Sequence, residues 1–121
     1  MLCIQNTFKP FSEDELPQGF NYPVKYLELS KNLKPLHSIP YFPWWFYDAV
    51  EPLDETMEIY FSLTGCKNLI VFAKDGDWAA CFDARDYSGD PKVLVYDLGN
   101  RENHYEKKNF DEWLKFVISE I

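Results

Sequence analysis

The residues best suited to acid–base chemistry are two aspartates, Asp75 and Asp77, on either side of Gly76. Neighbouring carboxylates can act as a general acid and a general base, or can begin a calcium-binding loop. The calcium pattern stops at the next ligand position, which holds Ala79. Aspartate is common beside turn glycines because it hydrogen-bonds the local backbone. We therefore interpret this segment as a turn.

A second pair, Cys81 with His104, could supply a thiolate nucleophile and its base. Such a pair needs a third group to orient the base, and the sequence offers no motif for one. Cys3, Cys66 and Cys81 have no CxxC spacing, which predicts reduced thiols, with Cys66 and Cys81 as small buried apolar residues. No metal, cofactor or catalytic residue is predicted. Two kinds of protein-binding domain, described below, are the first two hypotheses for the function. An enzyme or small-ligand binder is the third.

Carboxylates are concentrated in two parts of the chain. Residues 48–58 hold five acids and no lysine or arginine, and residues 75–90 hold five acids and one arginine, Arg85. Aromatic residues lie beside or within both clusters: Trp44, Trp45, Tyr47, Trp78 and Tyr87. Acidic runs are often plain solvated surface, but carboxylates around aromatic anchors also suit fast recognition of a cationic protein.

These clusters give the predicted partner-binding residues. The acidic element is either the first set, Asp48, Glu51, Asp54 and Glu55, or the second, Asp75, Asp77, Asp86 and Asp90. Trp78 and Tyr87 are the candidate aromatic anchors. The cluster Trp44-Trp45-Phe46 is left open as either core or an exposed patch for self-association.

Length and charge limit the class of protein. The 121 residues, 46% hydrophobic and 18% aromatic, predict one domain over residues 1–121 that needs no metal or disulfide to fold. The net charge of −8 argues against direct binding of nucleic acid or anionic membranes and favours a basic protein partner. We expect no signal peptide, because no Lys or Arg precedes an apolar stretch at the N-terminus, and the longest apolar run is residues 69–73. We therefore expect a soluble, cytoplasmic protein of undetermined oligomeric state.

The pattern of apolar residues, caps and turns predicts α+β architecture. Helices are expected over residues 23–33, 53–64 and from the Asn109 cap onward, with a single turn at 12–15 and Pro35 beyond the end of the first helix. Strands are expected over residues 44–49, 69–74, 78–84, 93–97 and 104–107. Each helix has one apolar face, so we predict an antiparallel meander with helices packed around it.

The second half of the chain resembles the SUKH superfamily, which includes the fungal Smi/Knr regulators of cell-wall synthesis and many bacterial relatives. Residues 69–83, LIVFAKDGDWAACFD, resemble its central motif of an apolar strand, an acidic glycine turn and an aromatic return strand. Residues 93–97, VLVYD, and 109–114, NFDEWL, are similar to its next strand and closing helix, and Leu16-Pro17 with Tyr26-Leu27 to its opening helix. Residues 33–35 replace the usual Asn-Gly-Gly-like stretch, and the acidic turn is shorter than usual.

The resemblance implies an antiparallel sheet surrounded by helices, and binding rather than catalysis. Bacterial members are mostly thought to be immunity proteins that neutralise a cognate toxin, often a nuclease, of a polymorphic or contact-dependent toxin system. An acidic inhibitor can compete for the basic face with which a nuclease grips nucleic acid. The alternative is a non-catalytic regulatory or scaffold domain that binds endogenous proteins, as in the fungal relatives.

Overall fold

The computed structural model describes residues 5–121, which form a five-stranded antiparallel sheet with helices on both faces. The strands follow one another across the sheet in chain order: β1 (Trp45–Phe46), β2 (Leu69–Asp75), β3 (Trp78–Asp83), β4 (Val93–Asp97) and β5 (His104–Lys107). The helices are α1 (Val24–Lys31), α2 (Lys34–His37), α3 (Leu53–Thr64) and α4 (Phe110–Ser119). The predicted α+β meander is confirmed.

One face of the sheet carries an aromatic core under α1 and α4. Phe72 and Phe82, on adjacent strands, stack with ring centroids 4.3 Å apart. Tyr26 of α1 and Trp113 of α4 meet Phe72 edge-on at 5.8 and 4.9 Å, and Phe110 meets it at 5.6 Å. Edge-to-face contacts of this kind add to the free energy gained by burying the rings. The apolar stripe of the terminal helix is therefore what closes this side of the core.

The helix α3 covers the opposite face, against β2. Cys81 adjoins Phe82 in β3 and so points to this second face, since neighbouring strand residues alternate. Burial is the largest cause of the raised pKa of Tyr60 in α3, and the nearby Cys81 thiol raises it further. Cys81 is fully buried, as expected, but Cys66 is only half-buried, and Cys3 lies outside the described residues.

Local backbone chemistry sets most element ends where the sequence predicts them. Gly65 ends α3 in the left-handed conformation, at φ 81°, and its N–H donates to the carbonyl of Phe61. Gly76, at φ 60°, is the first residue of the two-residue β2–β3 turn, a position that favours glycine. At α4 the side chain of Asn109 accepts a 2.9 Å hydrogen bond from the backbone N–H of Glu112.

The strand predicted over residues 44–49 is only two residues long. Tyr47 still donates to the carbonyl of Phe72, but the chain then pairs with the N-terminal segment instead of β2. The N–H of Ala49 donates to the carbonyl of Lys9 at 2.7 Å, and the N–H of Lys9 donates to Asp48. The strand shortens because these hydrogen bonds compete with the sheet.

Two local features near the N-terminus were not predicted. Pro35 lies beyond the end of α1, as expected, but it also lies in the first turn of the short helix α2, where a missing N–H costs little. The turn at Glu13–Glu15 exists as a 3₁₀ helix, but the Ser12 side chain makes no capping hydrogen bond. Glu15 instead accepts a 2.8 Å hydrogen bond from the N–H of Leu53, a contact across 38 residues that no local pattern predicts.

The side chain of Gln5 closes the free edge of β1. Its Nε2 donates to the carbonyl of Phe46 at 2.7 Å, and its Oε1 accepts from the N–H of Phe46 at 2.9 Å. We expect Gln5→Ala to lower the free energy of unfolding by about 1–3 kcal/mol, because both backbone groups lose their partner. Asn6→Ala, which removes an exposed amide, should change it by less than about 0.5 kcal/mol. Equal urea midpoints for the two variants would contradict this role of Gln5.

Candidate functional site

The ten residues predicted to contact a partner lie in three separate places. Residues 48–55 lead into the first turn of α3, and residues 75–78 form the β2–β3 hairpin. The remaining three, Asp86, Tyr87 and Asp90, lie in the loop between β3 and β4. The hairpin precedes β3 and the loop follows it, so the two lie at opposite ends of this strand, about 15–17 Å apart. The structure therefore divides the second acidic cluster between two places on the surface.

The acidic residues before α3 are partly engaged in local structure. Asp48 accepts the 2.7 Å hydrogen bond from the N–H of Lys9, and Asp54 accepts one of 2.9 Å from the N–H of Glu55. Asp54 and Glu55 also lie in the first helical turn, where the helix dipole favours negative charge. Glu51 and Glu55 are exposed. This surface is acidic, and its exposed Glu51 lines a groove together with Glu15 and Lys9, but no aromatic ring lines that groove.

The carboxylates of the β3–β4 loop hold the loop itself. Asp86 accepts hydrogen bonds from the N–H groups of Ser88 and Lys92, at 3.0 and 2.9 Å. Burial alone would raise the pKa of Asp86, but hydrogen bonds from Ser88 and Lys92 and the Lys92 charge outweigh it, so the pKa is lowered. Asp90 accepts a 2.9 Å hydrogen bond from the side chain of Asn109, which ties the loop to the start of α4.

Tyr87 remains exposed over 59% of its surface, yet its ring rests on Gly19. A Cβ atom at Gly19 would lie 3.4 Å from the ring. The ring therefore has one covered face and one free edge. Tyr87 does not line the groove that contains the other candidate anchor, Trp78.

The other anchor, Trp78, lies in a groove of about 470 Å³ beside the β2–β3 hairpin, which we call the hairpin-end groove. Half of the ten residues that line the groove are aromatic: Tyr41, Trp44, Trp78, Tyr105 and Phe116. Two carboxylates, Asp75 and Glu120, lie among these rings. The groove thus combines the aromatic and acidic residue types that the sequence points to, and it includes two of the ten predicted residues, Asp75 and Trp78.

Strand register explains why these side chains meet. Asp75 lies opposite Trp78 across the hairpin, and both therefore point to the same face of the sheet. On that face the Trp78 ring lies 5.9 Å from Tyr105 of β5, which in turn lies 5.3 Å from Phe116 of α4. The terminal helix then brings Glu120 to the same groove. The hairpin strand β3 and the C-terminal elements β5 and α4, which are distant from β3 in sequence, therefore build one row of rings.

The charges around this row are unevenly distributed. Burial is the largest cause of the raised pKa of the Tyr105 hydroxyl; the indole N–H of Trp113 lowers it, and the carboxylates of Asp75 and Glu120 raise it. At Phe116, the Lys107 ammonium lies 3.8 Å from the ring centroid, but Lys107 does not line the groove. Among residues 5–121, neither Asp75 nor Glu120 belongs to an ion pair. The groove is therefore negative, with no internal cation.

The sequence interpretation missed Tyr41, which is the most exposed of the large apolar side chains at 90%. It has φ 62°, a left-handed conformation that is rare for a bulky residue. The signal that could have found it is the pair Pro40 and Pro43, which disfavour a regular helix or strand across it. The sequence left the cluster Trp44-Trp45-Phe46 as either core or exposed surface, and the structure shows both. Phe46 is core, Trp44 is half-buried and Trp45 is 48% exposed.

The residues considered for chemistry do not assemble. His104 stacks on Tyr96 with centroids 5.3 Å apart, and its Nδ1 lies 3.1 Å from the carbonyl oxygen of Glu102. Burial raises the pKa of Cys81 far above that of a free thiol. In the described part of the chain, no three His, Cys, Asp or Glu side chains are grouped so that they could hold a metal ion. None of the helices within residues 5–121 has the length and apolar character needed to cross a membrane.

The chain matches a model of a known protein family. A family model named SUKH_5, described as SMI1-KNR4 cell-wall, matches residues 46–119. The match includes α3, strands β2 to β5 and α4, and hence Asp75, Trp78, Tyr105 and Phe116 of the groove. Tyr41, Trp44 and Glu120 lie outside it. Searches of curated proteins and of solved structures found no match to the chain.

Proposed function

This chain belongs to the SUKH family described as SMI1-KNR4 cell-wall, and from that premise we propose that it is an immunity protein that binds and neutralises a cognate protein toxin. The SUKH resemblance implies binding rather than catalysis, and immunity is the role ascribed to most bacterial members. The toxin is a basic protein, such as a nuclease, of a polymorphic or contact-dependent system. The immunity protein acts in the cytoplasm by covering the face that the toxin needs for its substrate.

The observation that carries this proposal is the hairpin-end groove. Interfaces derive most of their affinity from a few aromatic anchors in concave, desolvated positions, and the groove supplies such rings. Its carboxylates have no cationic partner among the described residues, so they remain available to a basic protein. The net charge of −8 adds a long-range attraction that accelerates encounter with a basic surface.

We expect this chain to rescue cells from a toxin encoded immediately upstream of its gene. The C-terminal domain of the upstream product would be induced alone and together with this chain, and growth would be recorded. Growth arrest without this chain and normal growth with it is the expected result. An upstream domain that is harmless, or whose toxicity this chain does not relieve, would remove the immunity role.

The family description favours one other function, a regulatory or scaffold domain that binds endogenous proteins, because it refers to the cell wall. In that case deletion of the gene would leave cells no more sensitive to the upstream product. Affinity capture from a strain that lacks the upstream gene would still recover a specific partner. The two functions therefore predict opposite results when this gene is deleted. The immunity role predicts that the cells become sensitive to the upstream product, and the regulatory role predicts that they do not.

A further inference from the structure

We propose that the hairpin-end groove is a socket for an arginine side chain carried by the basic protein partner, an inference that rests on the proposed function for the partner's identity. The occupant follows from the chemistry of the lining. A cation is attracted to the face of an aromatic ring, and tryptophan is the strongest such ring. Trp44 and Trp78 both line the groove, with Asp75 and Glu120 beside them.

The side chain of Lys107 already shows that the row of rings accepts a cation. The Lys107 ammonium lies 3.8 Å from the centroid of Phe116 and 5.6 Å from that of Tyr105. Lys107 is outside the groove lining, and the part of the row near Trp78 has carboxylates in place of a cation. One end of the row is therefore neutralised within the chain, and the other end is left for a charge from elsewhere.

Arginine fits this environment better than lysine. Its planar guanidinium can stack on an indole ring and at the same time donate two parallel hydrogen bonds to one carboxylate. An ammonium is a compact point charge that keeps its water more strongly and cannot stack. Asp75 lies directly opposite Trp78 across the hairpin, so a ring and a carboxylate are neighbours on one face of the sheet.

The test uses the isolated chain and capped amino acids, so that it needs no toxin. N-acetyl-arginine amide, its lysine analogue and its citrulline analogue would be titrated while the indole N–H signals of the four tryptophans are followed by NMR. Citrulline has nearly the shape of arginine without its charge. We expect arginine to shift the signals of Trp44 and Trp78 saturably, lysine to do so more weakly, and citrulline to leave them unchanged. The exposed Trp45 should not respond.

A matched pair of variants locates the site. Asp75→Asn with Glu120→Gln should weaken arginine binding about tenfold, the loss expected when charged hydrogen bonds are removed. Glu28→Gln, at an exposed acid of α1 outside the groove, should leave it within about twofold. Equal shifts with arginine and citrulline, shifts at Trp45 as large as at Trp78, or no shift in the wild-type chain would each overturn the socket.

The outcome separates this inference from the proposed function. If arginine binds in the groove but the chain fails to rescue cells, the socket stands and serves another basic protein. If the chain rescues cells and arginine does not bind, the immunity role stands and the socket is wrong. Because the arginine and citrulline titrations use the wild-type chain, neither conclusion depends on whether a variant folds.

Discussion

Replacing Trp113 with alanine should lower the free energy of unfolding by about 3–5 kcal/mol, the cost typical of deleting a fully buried large ring. The side chain has no exposed surface and contacts four aromatic neighbours: Trp44, Phe46, Phe72 and Phe110. Domains of this size are stable by only about 5–15 kcal/mol, so the loss is a large fraction of the total. Urea unfolding followed by far-UV circular dichroism would measure it.

Two further variants make the result specific. Among residues 5–121 the indole nitrogen of Trp113 is the one buried side-chain polar atom without a well-aligned hydrogen bond. Trp113→Phe removes that donor and leaves a smaller cavity, so it should cost clearly less than Trp113→Ala. Tyr41→Ala removes another aromatic ring, one that is 90% exposed, and should change stability by less than about 0.5 kcal/mol. Equal losses for Trp113→Ala and Tyr41→Ala would contradict the position of Trp113 as the centre of the core.

The elements that the sequence predicts well are those with a local signal. Val93–Asp97 and His104–Lys107 are found at their predicted ends, and α3 spans the predicted residues 53–64. In each case the signal is contained within a few residues, as in the Gly65 end of α3 or the Asn109 cap of α4. Such signals act through the backbone of their own turn, so tertiary contacts leave them unchanged.

The elements predicted poorly depend on contacts that are distant in sequence. The strand at 44–49 is shortened by hydrogen bonds with Lys9. The carboxylate of Glu15 accepts a hydrogen bond from the N–H of Leu53 and not from the backbone of its own turn. A propensity for strand or cap does not contain that information. Aromatic composition indicates that residues 44–49 are partly buried, but it cannot say which residue pairs with them.

The candidate site could be predicted only in part, for the same reason. Asp75 and Trp78 are close in sequence, and both were predicted to contact a partner. Tyr105, Phe116 and Glu120 join them because β5 and α4 return to the same end of the sheet. Asp86 and Asp90 are close to Asp75 in sequence, but they come after β3 and therefore lie at the end of that strand away from Asp75. A charge cluster in sequence is therefore not a charge cluster in space, and the register of the meander decides the difference.

The division of the acidic residues leads to a prediction for the complex with the toxin. Reversing two charges at the groove, Asp75→Lys with Glu120→Lys, should slow association about 10–100-fold at low ionic strength, because steering by complementary charge accelerates encounter by such factors. The same change should add a loss of affinity that persists in high salt, since it also places cations among the rings of the groove. Stopped-flow association at two or more salt concentrations would separate these effects.

The matched control reverses the same number of charges elsewhere. Glu51→Lys with Glu55→Lys raises the net charge by four, from −8 to −4, as does the groove pair. If general attraction by net charge governs association, both pairs slow it equally and both effects vanish in high salt. If the groove is the contact, only its pair speeds dissociation and lowers affinity when salt is high, because screening does not remove a misplaced buried charge. A tight complex whose association rate ignores both salt and the groove pair would leave the electrostatic account of recognition without support.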